Sequence, residues 1–547
     1  MNRWKIRAAA DPAAFAVLRS SADRWRRCSA FSALGRGSLR AAFPAFRARV
    51  ASDQASTIRK KHFMNEALNE NLESTQKLRV AVVGGGPGGY AAAFLAADLG
   101  MQVTLIDPEV NPGGVCLYRG CIPSKALLHV AKLIEESQQA KNWGIDFPPA
   151  KVDLTRLRTW KEGVVKRLTG GLGQLTKQRH VEYIQGRAAF ENSNTLRVRK
   201  TDSTDVVLSF DRIIIATGSR PAIIPALKLD STRLMDSTGA LNLEDIPASL
   251  LVVGGGYIGL ELGSVYAALG TRVTVVEMLS GLLPGADRDL VLPLHKRLEK
   301  MFEAVLLKTT VASLKEDGTG IRATFEGAGV QEKDREKVFD RVLVSVGRKP
   351  NSEIPGLETT HVNVSPRGFI EVNKQLQTSD PSIYAIGDVV GEPMLAHKAM
   401  HEGRVAAEAI AGHKVAFEPN AIPAVVFTDP EVAWCGLTET QAEKENREIK
   451  IAKFPWGASG RAVTLDRPEG VTKLIIDPQT ERVLGVGIVG AGAGELIAEG
   501  VLAIEMAALA HDIAMTIHPH PTLSETVMNA AEVFFGTSTD VYRPKRG

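Results

Sequence analysis

Hydrophobic positions along this chain gather in short unbroken runs, and the first clear one starts at Leu78. Leu78 to Val83 (LRVAVV) is apolar and β-branched, which predicts a strand. It runs straight into Gly84-Gly85-Gly86-Pro87-Gly88-Gly89; an Ala-rich helix is then expected through about Leu99, with Gly100 as its stop. Gln102 to Ile106 (QVTLI) predicts the next strand, closing on Asp107. The same order returns at Ser249 to Val253 (SLLVV), with Gly254-Gly255-Gly256-Tyr257-Ile258-Gly259, a helix ending at Gly270, and Arg272 to Val276 (RVTVV) closing on Glu277. In both units the acid stands 18 residues past the last glycine. Strands alternating with helices predict a doubly wound α/β fold.

The glycines explain themselves chemically. Gly84, Gly86 and Gly89, and again Gly254, Gly256 and Gly259, fit a tight turn, a close approach of backbone to a pyrophosphate, and a helix packed on its strand. The helix start adds N–H donors and a positive dipole end for phosphates. Asp107 and Glu277 then stand where a carboxylate accepts hydrogen bonds from ribose hydroxyls. One glycine triplet is the product of any tight turn, but two whole units at one spacing are not. Two dinucleotide sites are expected, and Glu277 favours NAD over NADP because a carboxylate repels a 2′-phosphate.

Composition narrows the class without changing this picture. A chain of 547 residues predicts three or four domains. With 44% hydrophobic and 23% charged residues, wholesale disorder and fibrous classes are excluded. No run of about 18 apolar residues occurs, so no membrane span is expected and the protein should be soluble. The net charge of +4 hides an asymmetry: residues 1–63 hold 14 Lys and Arg against three acids, so everything after them is net acidic. That leaves no electrostatic case for nucleic acid in the body of the chain. The basic stretch has three readings, in order of preference: sequence translated ahead of a start at Met64, a mitochondrial-type transit peptide, or a basic arm that touches nucleic acid.

Four cysteines in a chain this long do not make a disulfide scaffold, so a reducing, cytoplasmic setting is expected, or a mitochondrial matrix if residues 1–63 are a transit peptide. Cys28 and Cys435 read as packing or leader residues. Cys116 and Cys121 lie in Gly113-Gly114-Val115-Cys116-Leu117-Tyr118-Arg119-Gly120-Cys121-Ile122-Pro123-Ser124-Lys125. Zinc would need a second ligand pair, and none follows at suitable spacing. Cys121 falls just ahead of a helix expected from Pro123 to about Glu136, where the dipole and nearby cations favour thiolate.

This segment resembles the active-site signature of the class I pyridine nucleotide-disulfide oxidoreductases, the flavoprotein family of dihydrolipoyl dehydrogenases, glutathione reductases and mercuric reductases. Further pieces follow in order. Ala216-Thr217-Gly218-Ser219 resembles the exit from the flavin domain, Thr378 through Ala385-Ile386-Gly387-Asp388 the second FAD motif, and His518-Pro519-His520-Pro521-Thr522-Leu523-Ser524-Glu525 the acid/base motif. The last has the form found in dihydrolipoyl dehydrogenases. The vicinal C-terminal cysteines of mercuric reductases are absent, Cys435 being the last cysteine, and transhydrogenases of similar fold lack the cysteine pair.

The resemblance implies FAD and NAD as cofactors, a redox disulfide between Cys116 and Cys121, and His520 oriented by Glu525 as acid/base. It also implies Lys125 paired with Glu261 near the flavin, and cofactor contacts at Thr217, Gly218, Gly347, Asp388 and Ala396. The histidine comes from the partner subunit in this family, so a homodimer is implied, with helices from about 493 to 510 in its surface. Partners would be lipoyl domains of an acyltransferase or glycine-cleavage H-type proteins, since no lipoyl domain is visible in the chain itself. The expected divisions are a basic extension (1–75), an FAD domain (76–220), an NAD domain (221–350), a central FAD-contacting segment (351–420) and an α+β dimerisation domain (421–547). The alternatives are another disulfide reductase of this fold, or a structural subunit docked on an acyltransferase core. His518 reads as support, and His397 with His401 as a helix face without a third metal ligand. Two departures stand out. Tyr118-Arg119 replaces the usual Asn-Val, which could alter the disulfide's potential or substrate approach, and Pro519 replaces Ala.

Overall fold

The computed structural model describes residues 77–542. The readings of residues 1–63 and of Cys28 lie outside the described residues. The first unit forms as its pattern requires: strand Arg79–Val83, helix Pro87–Asp98, strand Gln102–Asp107. Val80, Ala81 and Val82 are fully buried, as a strand covered on both faces must be. The two strands pair in parallel from Arg79 opposite Gln102 to Val83 opposite Ile106. Arg212–Ile215 joins on the other side, Ile383–Ala385 beyond it, and Glu182–Asn192 next to Gln102–Asp107. Two antiparallel strands, Thr195–Lys200 and Asp205–Ser209, complete a sheet of seven. The strand Ile383–Ala385 thus returns the chain to the first sheet some 170 residues after Arg212–Ile215 left it.

The second unit repeats the first. Strand Ser249–Val253, helix Tyr257–Ala268 and strand Arg272–Glu277 sit in an all-parallel sheet of five with Ala304–Leu307, Arg341–Val344 and Leu234–Met235. From Ala424 the chain changes to an antiparallel five-stranded sheet covered by helices Ala493–Glu505 and Glu525–Phe535. Between this sheet and the second unit lies an ionic cluster that the sequence reading did not foresee. Lys473 is 1% exposed, and its ammonium donates to Asp287 (2.7 Å), Asp289 (2.8 Å) and Glu439 (2.7 Å). A buried charge survives only when paired, so these contacts fasten the sheet to the helix Arg288–Met301.

Candidate active site

One cavity of about 690 Å³ lies where the first glycine turn, the cysteine segment, the start of helix Tyr257–Ala268 and the Gly387-Asp388 turn meet. It is lined by Gly84, Gly86, Gly89, Asp107, Cys116, Cys121, Lys125, Thr217, Gly218, Glu261, Asp388 and Ala396. Gly254, Gly256, Gly259, Glu277 and Gly347 are not in its wall; they belong to the second turn and the strand ends beside it. His520 and Glu525 are also outside it.

Cys116 sits on a short helix, Gly114–Arg119, tied to the glycine turn by the Gly113 N–H donating to the Gly85 carbonyl (2.7 Å). Cys121 was expected ahead of its helix. It is instead the first residue of Cys121–Gln139, with Pro123 still inside the first turn, where N–H groups have no intrahelical partner and proline is tolerated. Both cysteines are free thiols. A hydrogen bond between them splits their acidities: Cys121, which receives it, is pulled down to about 7 against burial, with Lys125 helping, while Cys116, which holds the proton, is pushed up. Lys125 is the cation acting on the two thiols. Arg119 faces away toward Glu109, with which it forms an ion pair, and Tyr118 bonds through its hydroxyl to the Asn111 carbonyl (3.0 Å). The expectation that this pair alters the disulfide therefore meets a geometry that directs both side chains to the loop after Asp107.

The Lys125 ammonium lies 2.8 Å from Glu261, which is 3% exposed. Ser124 and the Phe427 N–H also donate to that carboxylate, at 3.1 and 2.9 Å, and the Phe427 ring lies 4.6 Å from the ammonium. Asp388 accepts from the Ser219 hydroxyl (2.5 Å), which in turn accepts from Arg348 (2.7 Å). The turn before it is held by the Gly387 N–H donating to Glu402, itself in a buried pair with Lys398 (2.7 Å for both). Thr217 and Asn351 exchange two side-chain-to-backbone bonds beside Gly218.

Both strand-end acids first serve their own turns. Asp107 accepts from the Gly85 N–H (2.5 Å) and the Glu109 N–H (2.9 Å), Glu277 from Gly255 (2.8 Å) and Leu279 (2.7 Å). Each carboxylate keeps further lone pairs for a ribose. The glycines test whether dinucleotides fit. Gly84 has φ +108, and a methyl there would sit 2.2 Å from the Ala216 carbonyl oxygen, so the fold itself demands glycine. Gly256 has φ −78 and nothing within 4 Å of an added methyl, and at Gly86, φ −69, the nearest atom is 3.9 Å away. Neither is required by backbone or packing, which leaves the approach of a bulky group such as a pyrophosphate. The residues fit FAD in the cavity and NAD at the second turn.

Nδ1 of His520 lies 2.9 Å from Glu525, whose other oxygen accepts from the Thr522 N–H (2.7 Å). Burial pushes the Glu525 carboxyl up, but the Thr522 N–H and His520 outweigh it and hold the group below its ordinary range. A carboxylate only accepts, so Nδ1 carries a proton, and in the neutral ring the free lone pair is on Nε2. The His520 side chain is 78% exposed. His518 is bonded at both nitrogens, to Glu499 and to the Thr516 carbonyl (2.8 Å each), which leaves it a supporting role. Cys435 is buried and its thiol is pushed up to about 12 by that burial. The sequence reading missed Tyr257, Ser219 and Arg348 in the cavity wall. The available signals were an aromatic inside a glycine turn for Tyr257 and the Ala216-Thr217-Gly218-Ser219 segment for Ser219; nothing local marks Arg348.

The family described as pyridine nucleotide-disulphide oxidoreductase matches residues 78–403, and its dimerisation domain matches residues 422–531. A Haemophilus influenzae protein named dihydrolipoyl dehydrogenase is 49% identical over 86% of this chain and 97% of its own length. Its namesake in Geobacillus stearothermophilus is 46% identical over 83% and 96%. The crystal structure of LpdA from Mycobacterium tuberculosis is similar with a TM-score of 0.77, at 26% identity, covering 84% of this chain and 99% of that one. The HOCl-induced flavoprotein disulfide reductase RclA from Escherichia coli follows at 0.72 and 27%, covering 82% and 98%. A cysteine pair over a dinucleotide cavity, a second glycine turn beside it and a C-terminal dimerisation domain go with these matches: the chain belongs to the pyridine nucleotide-disulphide oxidoreductases, which use FAD and NAD(H), on the branch of the dihydrolipoyl dehydrogenases.

Proposed function

We propose that this chain oxidises dihydrolipoamide to lipoamide with NAD⁺, the dihydrolipoamide being carried on a lipoyl domain of an acyltransferase or on a glycine-cleavage H-type protein. The observation that carries the reading is the Cys116 and Cys121 pair in the cavity wall with the Lys125–Glu261 ion pair beside it, and the lowered pKa of Cys121 agrees with it. In the oxidised enzyme the two sulfurs form a disulfide. His520 Nε2 of the partner subunit takes the proton of one substrate thiol. That thiolate attacks the Cys116 sulfur, forming a mixed disulfide and releasing Cys121 as thiolate. The second substrate sulfur gives its proton to Cys116 as it attacks its neighbour, closing the lipoamide ring. Two electrons have passed to the protein, with one proton on Cys116 and one on His520. With FAD held in the cavity as the electron carrier, this electron pair and the Cys116 proton would leave as the hydride of NADH, the Cys116–Cys121 disulfide would re-form, and the His520 proton would go to solvent. Lys125, fixed by Glu261, holds the Cys121 charge through the transfer.

The bacterial relatives support a cytoplasmic setting; among the described residues no helix is long and apolar enough to cross a membrane. The test is a steady-state assay of the purified dimer with dihydrolipoamide and NAD⁺, beside oxidised glutathione with NADPH. Turnover with the first pair is expected. Turnover with the second alone would reject the reading.

A further inference from the structure

We infer that Arg119 and Arg187 bind the adenosine half of FAD through its phosphate, a role that rests on reading the cavity as the FAD site. Five cations line the cavity: Arg119, Lys125, Arg187, Arg220 and Arg348. Four are paired within the chain, Lys125 with Glu261, Arg220 with Glu353 and Asn351, Arg348 with Ser219, and Arg119 with Glu109. Arg187 and Arg119 converge from different elements on the end of strand Gln102–Asp107, Arg119 through its pair with Glu109. Pairing puts Gln185 opposite Asp107, so Arg187, two residues on and on the same face, projects just past the strand end. It is exposed and makes no ion pair among the described residues. Arg119 closes the Cys116 helix and is positioned by Glu109, two residues after Asp107. Both guanidinium charges act on Asp107, the carboxylate that marks the ribose end.

A diphosphate brings negative charge to this cavity, and the glycine turn Gly84 to Gly89 answers it with backbone N–H groups but no side-chain cation. Guanidinium is the group best matched to phosphate oxygens, two at a time. The replacement of an apolar residue by Arg119 thereby acquires a purpose at the nucleotide end of the cavity, 8 Å-scale electrostatics at ordinary salt being too short to serve distant groups.

The experiment titrates the full chain, stripped of flavin, with FAD, FMN and ADP, comparing wild type with Arg119→Val, Arg187→Gln and the double variant. Each single change should weaken FAD and ADP by about tenfold and the pair by about a hundredfold, as expected for lost charge-assisted hydrogen bonds. FMN, which lacks the adenosine half, should bind with unchanged affinity. Arg119→Lys should recover part of the loss. Unchanged FAD affinity in the double variant would overturn the inference, and so would an equal loss for FMN, which marks general damage to the cavity. Failure of the wild type to bind FAD would remove the cavity reading itself and this inference with it.

Discussion

At Cys121 the division of charge between two thiols becomes measurable. A thiol whose acidity is set near 7 is thiolate above that pH and loses its nucleophilicity as pH falls through it. In the reduced enzyme, alkylation of Cys121 by iodoacetamide should therefore rise with pH around a midpoint near 7, followed by peptide mapping. Cys116→Ala removes the hydrogen bond that does most of the lowering, and the midpoint should climb toward the ordinary thiol value. A wild-type midpoint near 9 would contradict the assignment. The residue types at this site were legible because their spacing is local: Cys116, Cys121 and Lys125 fall within one segment. The partner of Lys125 became legible only through family likeness, since Glu261 lies 136 residues away and nothing in its own helix distinguishes it. Arg119 shows the limit of such likeness. A departure from the family pattern shows that something differs, but only the ion pair with Glu109 shows where the side chain goes.

On the scale of elements, strand, glycine turn and helix were readable because each glycine does separate work, and substitutions can separate that work. At Gly84 an added methyl meets the Ala216 carbonyl at 2.2 Å in a left-handed backbone, so Gly84→Ala should cost the fold. At Gly256 the backbone suits any residue and the space is open. Gly256→Ala should keep or slightly raise the melting temperature, by the reduced freedom of the unfolded chain, worth about 0.4–1 kcal/mol. It should also raise KM for NAD⁺ at least tenfold with flavin content unchanged. Calorimetry and steady-state kinetics on the same preparation check both halves; a lower melting temperature with unchanged KM would assign Gly256 to the fold alone. The start of the cysteine helix was misplaced for a related reason. Proline is most often met at the first helical position, and the sequence offers no sign that this one sits at the third.

For the whole molecule, the features that hold units together were the least legible. The Lys473 cluster joins Asp287, Asp289 and Glu439, up to 186 residues apart, and no periodicity announces a lysine that will be buried under three carboxylates. The same holds for the placement of His520. Its motif was visible, yet the side chain is 78% exposed, lies outside the cavity wall, and is flanked by Ile517 at 95% exposure and Met515 at 68%. Apolar side chains of that size left bare beside the His520–Glu525 pair fit a face that a second copy covers. In a twofold dimer each active site then takes its cysteines from one subunit and its histidine from the other. Two inactive variants can test this. Cys116→Ser and His520→Gln homodimers should each retain flavin and show little turnover. After subunit exchange, a mixed dimer has one site with intact cysteines facing an intact histidine, and one with neither. Random pairing makes half the dimers mixed and half of their sites complete, so activity should return to about a quarter of wild type. No recovery, with exchange verified by native mass spectrometry, would place His520 in the site of its own chain.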